Sequence, residues 1–156
     1  MANWIVRKGE RKDVPAVMAL VHELAAYEKA LDQVELTAEQ LEQDGFDEHP
    51  AFGLFVAETN GEIVGMALYY WKYSTWQGRC IYLEDLVVQE AWRNLGVGAG
   101  LFEAVAQLSK TEKVKRMEWQ VLDWNEPALQ FYKKHEAHLD GEWINGKLVY
   151  EQLQQF

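Results

Sequence analysis

Two adjacent carboxylates inside an apolar run, and the glycine-bearing loop that follows them, are the residues of this chain best suited to chemistry. The run is Tyr82-Leu83-Glu84-Asp85-Leu86-Val87-Val88. The loop is Arg93-Asn94-Leu95-Gly96-Val97-Gly98, leading into an amphipathic stretch. Glycines in the first turn of a helix let backbone N–H groups close on an anion, and the helix N-terminus adds partial positive charge. Carboxylates within a buried strand are costly unless something cationic answers them. An anion cradle beside an acidic pair therefore suggests a site that holds a phosphate-bearing group and a cationic group together.

The elements that must position these residues follow from local pattern. Trp4 to Arg7 alternates like a first strand. Asp13 can cap a helix with Pro15 in its first turn and a core stripe of Val17, Leu20, Val21 and Leu24, with Tyr27 and Glu28 at its end. Thr37 with Gln40 resembles a capping box opening a short second helix that ends near Asp44-Gly45. Phe52 to Thr59 and Glu62 to Tyr73 read as strands joined at Asn60-Gly61, a strong hairpin signal. Arg79 to Val88 is the next strand, and Gly96 to about Lys110 the next helix. Lys115 to Leu122 reads as a strand. Asn125 caps a last helix, with Pro127 in its first turn and Ala128, Phe131, Tyr132 and His135 on one face. The tail from Glu142 to Leu153 suggests a final hairpin around Asn145-Gly146. This order predicts an α/β (α+β) mixed sheet with helices on both faces, in one domain spanning residues 1–156.

Composition bounds the function. The 156-residue chain is 49% hydrophobic with seven tryptophans, enough for a real core. A formal net charge of −10 argues against nucleic acid as a partner, which would need a basic face, and is compatible with attracting a small polycation. The lone Cys80 points to a reducing cytosol. The N-terminus lacks a signal-peptide pattern, and no apolar run reaches membrane-spanning length, so no membrane partner is expected. The four histidines form no metal constellation.

The layout and the loop resemble the GNAT superfamily of acyl-CoA-dependent N-acyltransferases, whose phosphate loop reads Arg or Gln, two variable residues, Gly, one residue, then Gly or Ala. Arg93 to Gly98 matches it, with Asn94 where a further glycine is common; asparagine tolerates the left-handed backbone. Tyr27-Glu28, Asp44-Gly45-Phe46, Glu48-His49-Pro50, Tyr82-Leu83-Glu84-Asp85, Trp124-Asn125-Glu126-Pro127 and Phe131-Tyr132-Lys133 are similar to the spermidine/spermine (diamine) acetyltransferase family, some members of which prefer other amines such as thialysine. The resemblance implies a central mixed, mostly antiparallel sheet, acetyl-CoA as cosubstrate with no metal, a small cationic amine as substrate, and a homodimer. The Tyr69-Tyr70-Trp71 and C-terminal strands could supply its apolar interface.

Acyl transfer needs a neutral amine, yet an alkylammonium has a pKa of about 10.4. A carboxylate must attract the cation and help remove its proton, directly or through water. Glu84 is the first candidate. Alternation sends it to the face of Tyr82, Leu86 and Val88, and Asp85 to the opposite face. The resemblance assigns Tyr132 as the acid that protonates the departing thiolate, and implies main-chain contacts from Leu86, Val87 and Val88 to the acetyl group and pantetheine arm. The phosphates are expected on the backbone of Asn94, Leu95, Gly96, Val97, Gly98 and Ala99, helped by Arg93, with Asn125, Glu126, Pro127, Ala128 and Tyr132 also bordering the cofactor. Amine recognition falls to Tyr27, Glu28, Trp76, Glu84, Asp85, Glu142 and Trp143, carboxylates and aromatic faces that suit an alkylammonium chain. Resemblance adds Glu118, Trp119 and Gln120.

Two departures fall in the amine pocket: Ser74 stands where the family typically has aspartate, and no glycine separates Glu142 from Trp143. A dinucleotide-binding reading of Gly96-Val97-Gly98-Ala99-Gly100 fails because Leu101 replaces its last glycine and the strand before it is the fourth. The alternative to an enzyme is a non-catalytic module that binds acyl-CoA or a polyamine on the same scaffold.

Overall fold

The computed structural model describes residues 3–156. The chain divides into two units, the first ending at Gln120 and the second covering Val121–Phe156. In the first unit the strands are β1 (Ile5–Lys8), β2 (Gly53–Thr59), β3 (Glu62–Ser74), β4 (Gly78–Val88) and β5 (Met117–Glu118), and the helices are α1 (Val14–Tyr27), α2 (Ala38–Phe46) and α3 (Val97–Thr111). The second unit holds α4 (Glu126–Lys134) and the single turn α5 (Tyr150–Leu153).

The sheet order is β1-β2-β3-β4-β5, antiparallel throughout except for the parallel β4–β5 pair. It is therefore a mixed, mostly antiparallel sheet, as expected. Asn60 and Gly61 both take positive φ, 49° and 82°, the geometry a tight two-residue hairpin demands. Thr37 caps α2 by accepting from the Gln40 N–H at 3.1 Å, but the Gln40 side chain turns forward to Asp44 and does not close the reciprocal half of the box.

Helices cover both faces. Leu54, Val56, Met66, Leu68 and Val87 project to one face and form a core with Val14, Val17, Met18, Leu20 and Leu41 of α1 and α2. On the other face α3 sits close to β3, because a Cβ at Gly65 would lie 3.0 Å from both Leu101 and the Val87 carbonyl. α1 is tied to the sheet through Asp13, which does not cap it by side chain as expected. The carboxylate instead accepts from Arg7 at 2.8 and 2.9 Å and from the Glu10 N–H at 2.8 Å. Burial pushes its pKa up, and these donors outweigh burial to hold it low. Arg7 also meets Glu58 at 2.6 Å. A cleft of about 600 Å³ beside this network is lined by these internally matched charges.

Two expected elements differ. The strand foreseen over 115–122 shrinks to Met117–Glu118, which pairs with β4 at Ile81 and Tyr82. The foreseen tail hairpin around Asn145-Gly146 is absent. Among the described residues 139–149 have no regular structure, and Trp143 and Ile144 are 76% and 96% exposed.

Candidate active site

The carboxylates sit at a break in the β3–β4 ladder. Leu68 pairs with Asp85 and Tyr69 with Leu83, which leaves Glu84 as the extra residue of a β-bulge. Strict alternation therefore fails, and the expectation that Glu84 and Asp85 face opposite sides is corrected. Asp85 lies opposite Leu68 and Val87 opposite Met66, both on the α1 face, while Leu86 and Val88 oppose Ala67 and Gly65 on the α3 face. Tyr82 lies opposite Tyr70, on the same side of β3 as Leu68. The bulge turns Glu84 toward this pair as well, and its carboxylate is hydrogen-bonded by the Tyr70 side chain.

The electrostatics follow from this convergence. Asp85 is raised to about 6, first by burial and then by the Glu84 and Glu28 charges. Burial likewise raises Glu28, which ends α1 as its C-cap. Tyr82 is pushed up to about 12 by burial, then by Glu84, Tyr70 and Glu118. Tyr70 and Tyr82 stack with centroids 5.1 Å apart. Three carboxylates thus share one partly dry sheet face lined by two phenols, an arrangement that attracts a cation and offers it a proton acceptor. Tyr70, Tyr82 and Lys72 were not foreseen, although their even spacing along β3 and β4 was a usable signal.

β4 continues to Val88 beyond its last rung with β5, Tyr82 with Glu118. Among the described residues, the β4 edge at Leu86 to Val88 therefore carries main-chain groups that no further strand of the sheet takes up. The chain then makes one 3-10 turn at Glu90–Trp92 and enters the glycine loop. Asn94 takes φ 62° and Gly96 φ 83°, so asparagine does stand in for glycine in the left-handed region. The first helical bond runs from the Gly100 N–H to the Gly96 carbonyl at 3.0 Å. The N–H groups of Val97, Gly98 and Ala99 consequently have no acceptor within the helix. Such a turn fits a pyrophosphate.

Trp4, expected only as the start of the first strand and lying just before it, supports this loop. Its indole N–H donates to the Leu95 carbonyl at 3.2 Å, and a Cβ at Gly100 would lie 2.7 Å from its ring. Arg93 does not aim its side chain at the cradle as expected. Its guanidinium donates to the Val88 carbonyl at 3.1 Å and to Glu23 at 3.2 Å, and lies 5.6 Å from the Tyr27 ring centroid. Arg93 and Tyr27 thus brace the end of β4 against α1.

The remaining candidates divide. Glu118 stays on the carboxylate face, paired with Lys72 and Arg116 at 3.4 Å each. Trp119 packs edge-on against Phe102 of α3 at 5.3 Å, which sets it on the opposite face. Gln120 ends the first unit. Trp76 sits 81% exposed in the β3–β4 turn, beyond Gly78, which is itself roughly 20 Å along β4 from Glu84 at ~3.3 Å per residue, so it does not join the cluster. Ser74 shapes that turn, accepting from the N–H groups of Trp76 and Gln77 at 3.1 and 3.2 Å. In the second unit Asn125 caps α4 through the Ala128 N–H at 3.4 Å, with Glu126 and Pro127 in the first turn. Tyr132 is buried on α4, its ring 5.4 Å from that of Phe131. Glu142 is exposed, its N–H turned to Asp140 at 2.9 Å, and Trp143 follows it.

Comparison with known proteins places this geometry. Residues 17–136 match the model of the acetyltransferase (GNAT) family. The chain is 40% identical over 141 residues to a thialysine N-epsilon-acetyltransferase of Bos taurus, covering 85% of this chain and 83% of that one. It is 37% identical over 144 residues to a spermidine/spermine N(1)-acetyltransferase-like protein 1 of Homo sapiens, covering 88% of this chain and 21% of that longer one. An aminoglycoside acetyltransferase from an uncultured soil metagenomic sample, solved with trehalose, superposes with a TM-score of 0.77 at 20% identity over 94% of this chain and 95% of its own. That last likeness concerns the fold alone.

Proposed function

This chain belongs to the acetyltransferase (GNAT) family, and on that premise we propose how its residues carry out acetyl transfer from acetyl-CoA to a primary amine. The protein is an N-acetyltransferase, and its relatives are thialysine and polyamine N-acetyltransferases. The amine class that fits is a polyamine, a diamine or a lysine-like small molecule. The observation that carries this reading is the bulge at Glu84, which gathers Glu84, Asp85 and Glu28 on the strand leading into the α3 cradle.

The amine arrives as an ammonium and pairs with these carboxylates. Glu84, steadied by the Tyr70 side chain, takes the proton directly or through water. Asp85, at about 6, is ionised at neutral pH and pairs with the incoming ammonium. The freed nitrogen attacks the thioester carbonyl supplied by acetyl-CoA, the C–S bond breaks, and the second proton of the acylated nitrogen leaves to Asp85 or to water. Main-chain N–H groups at the end of β4, among Leu86, Val87 and Val88, receive the developing oxyanion. Tyr132 returns a proton to the departing thiolate. The N–H groups of Val97, Gly98 and Ala99 hold the pyrophosphate.

The family match over residues 17–136 crosses from the first unit into the second, which supports one domain over 1–156. A homodimer and a cytoplasmic site complete the proposal, the latter consistent with a fully buried lone thiol at Cys80. No helix among the described residues is long and apolar enough to cross a membrane. The decisive experiment follows acetyl-CoA consumption against a panel of diamines, polyamines and lysine analogues. Turnover on any of them sustains the reading; tight CoA binding with none would favour the non-catalytic module. Light scattering should give twice 18.1 kDa, and a monomer mass at micromolar concentration would remove the dimer.

A further inference from the structure

One member of the carboxylate cluster is brought to it by a helix. Glu28 reaches Asp85 from the end of α1, and α1 packs against β3 and β4. The buried apolar side chains of that helix are Val14, Val17, Met18 and Leu20. Every residue from Val21 to Glu28 is half-buried or exposed, so apolar burial holds the last two turns less firmly than the first two. Glu28 cannot move apart from those turns. A Schellman motif closes the helix, with the Ala30 N–H donating to the Ala25 carbonyl at 2.8 Å and the Lys29 N–H to the Ala26 carbonyl at 3.1 Å. Lys29 takes the left-handed φ of 59° that this motif requires. Where the end of α1 goes, Glu28 goes.

Glu23 pins that end. Its Oε1 accepts from Arg93 Nη2 at 3.2 Å and from the Glu90 N–H at 3.1 Å. The same guanidinium donates through Nε to the Val88 carbonyl at 3.1 Å and lies 5.6 Å from the ring centroid of Tyr27, about one turn beyond Glu23 on α1. A single carboxylate oxygen thus joins α1 to the chain just past β4 at two points. The side chains of Arg93 and Glu23 are 39% and 36% exposed, and an ion pair so open to solvent adds little to global stability. Its effect is on geometry, because it sets where α1 ends relative to β4. The glycine cradle has a support of its own in Trp4, which bonds the Leu95 carbonyl.

We propose that Glu23 is a positioning residue for the amine: through Arg93 and the Glu90 N–H it fixes the end of α1 so that Glu28 completes the acidic cluster beside Asp85. This rests on the acetyltransferase reading, in which that cluster receives the ammonium. The charged and titratable groups of the face are Glu84 and Tyr82 on β4, Tyr70 and Lys72 on β3, Glu118 on β5 with Arg116 before it, and Glu28. Of these, Glu28 alone is carried by α1. When the end of α1 moves away, Asp85 loses one like charge and part of its cover, so it titrates lower. Amine binding weakens with it, while the cradle for acetyl-CoA stays.

The test measures kcat/KM across pH for wild type, Glu23→Ala, Glu23→Gln, Glu28→Gln and the Glu23→Ala/Glu28→Gln double variant. Spermidine, cadaverine and lysine serve as amines, and calorimetry reads acetyl-CoA affinity. Glu23→Ala should lower kcat/KM for the best of the three amines about tenfold, mostly through KM. Its acetyl-CoA affinity should hold within about twofold, since Trp4 still supports the loop. The acid limb of its profile should fall below the wild-type position at about pH 6, as it should in Glu28→Gln. Glutamine keeps an oxygen for both donors, so Glu23→Gln should recover most of the loss. The double variant should lose no more than Glu28→Gln alone, because residues that act through one another do not add. An unmoved acid limb, losses that multiply in the double variant, or acetyl-CoA affinity falling in parallel overturns the positioning role while leaving amine acetylation intact. No wild-type turnover on these three or on the wider amine panel overturns the acetyltransferase reading and this inference with it.

Discussion

Asp85→Asn should stabilise the protein at neutral pH while weakening its hold on the amine. The Asp85 carboxyl rises from the ordinary 3.8 to about 6, chiefly through burial and then through Glu84 and Glu28. A carboxyl raised in the fold binds its proton more tightly in the native than in the unfolded chain, so stability falls as pH rises through that interval. At ~1.36 kcal/mol per pH unit, the gap from 3.8 to about 6 amounts to ~3 kcal/mol once the charge has formed. Asparagine keeps the shape without the charge. Urea denaturation of both proteins should therefore show the variant more stable by up to ~3 kcal/mol near pH 7, a large fraction of the whole stability of a domain this size. The difference should close near pH 4, where wild-type Asp85 is protonated. Reading the gap between the two proteins, and not either curve alone, cancels the other titrating groups. A gap that stays flat across that range, or a variant less stable at pH 7, would show that Asp85 is already matched by a partner in the fold. The same charge should set the acid limb of wild-type kcat/KM for the amine, rising through about pH 6, because that profile reports the free enzyme. Asp85→Asn should flatten it.

Glu84→Gln should raise the amine KM or lower kcat while acetyl-CoA affinity, read by calorimetry, holds; a loss of acetyl-CoA binding instead would place Glu84 with the cosubstrate. Tyr132→Phe keeps the buried ring and should lower kcat by about 10²–10⁴-fold, the usual range for a general acid; wild-type turnover in the folded variant would reduce Tyr132 to packing. Gly98→Val, within the first turn of α3, should weaken acetyl-CoA binding by keeping the phosphates off the backbone, and unchanged affinity would refute the loop assignment.

The hairpin, the caps and the glycine loop were legible because each is dictated within a few residues. Asn60-Gly61 needs positive φ at both positions, Thr37 and Asn125 supply short acceptors for exposed helical N–H groups, and Asn94 takes the left-handed backbone its side chain tolerates. What the sequence concealed depends on partners far along the chain. Counting by twos along β4 misplaces Asp85 relative to Glu84, because the bulge is set by pairing with β3 and carries no composition signal. Asn145-Gly146 bears the same turn signature as Asn60-Gly61, yet the strands needed on either side do not form among the described residues. Trp4 under the loop, and Arg93 turned to Glu23, depend on contacts across 91 and 70 residues of chain.

The bulge explains why the acidic pair is tolerated at all. An unbroken ladder would send Glu84 and Asp85 to opposite faces, one of them into apolar packing, where an unanswered carboxylate is costly. The extra residue turns both toward Tyr70 and Tyr82, where burial first, and then the Glu84 and Glu28 charges, raise the proton affinity of Asp85. Holding that arrangement falls to neighbours with no part in the chemistry. The ladder runs from Gly65 with Val88 to Ser74 with Gly78 on both sides of the bulge, and Arg93 pins the Val88 carbonyl to Glu23 of α1. Substitutions that loosen those contacts should therefore reach activity through the carboxylate geometry before they reach global stability.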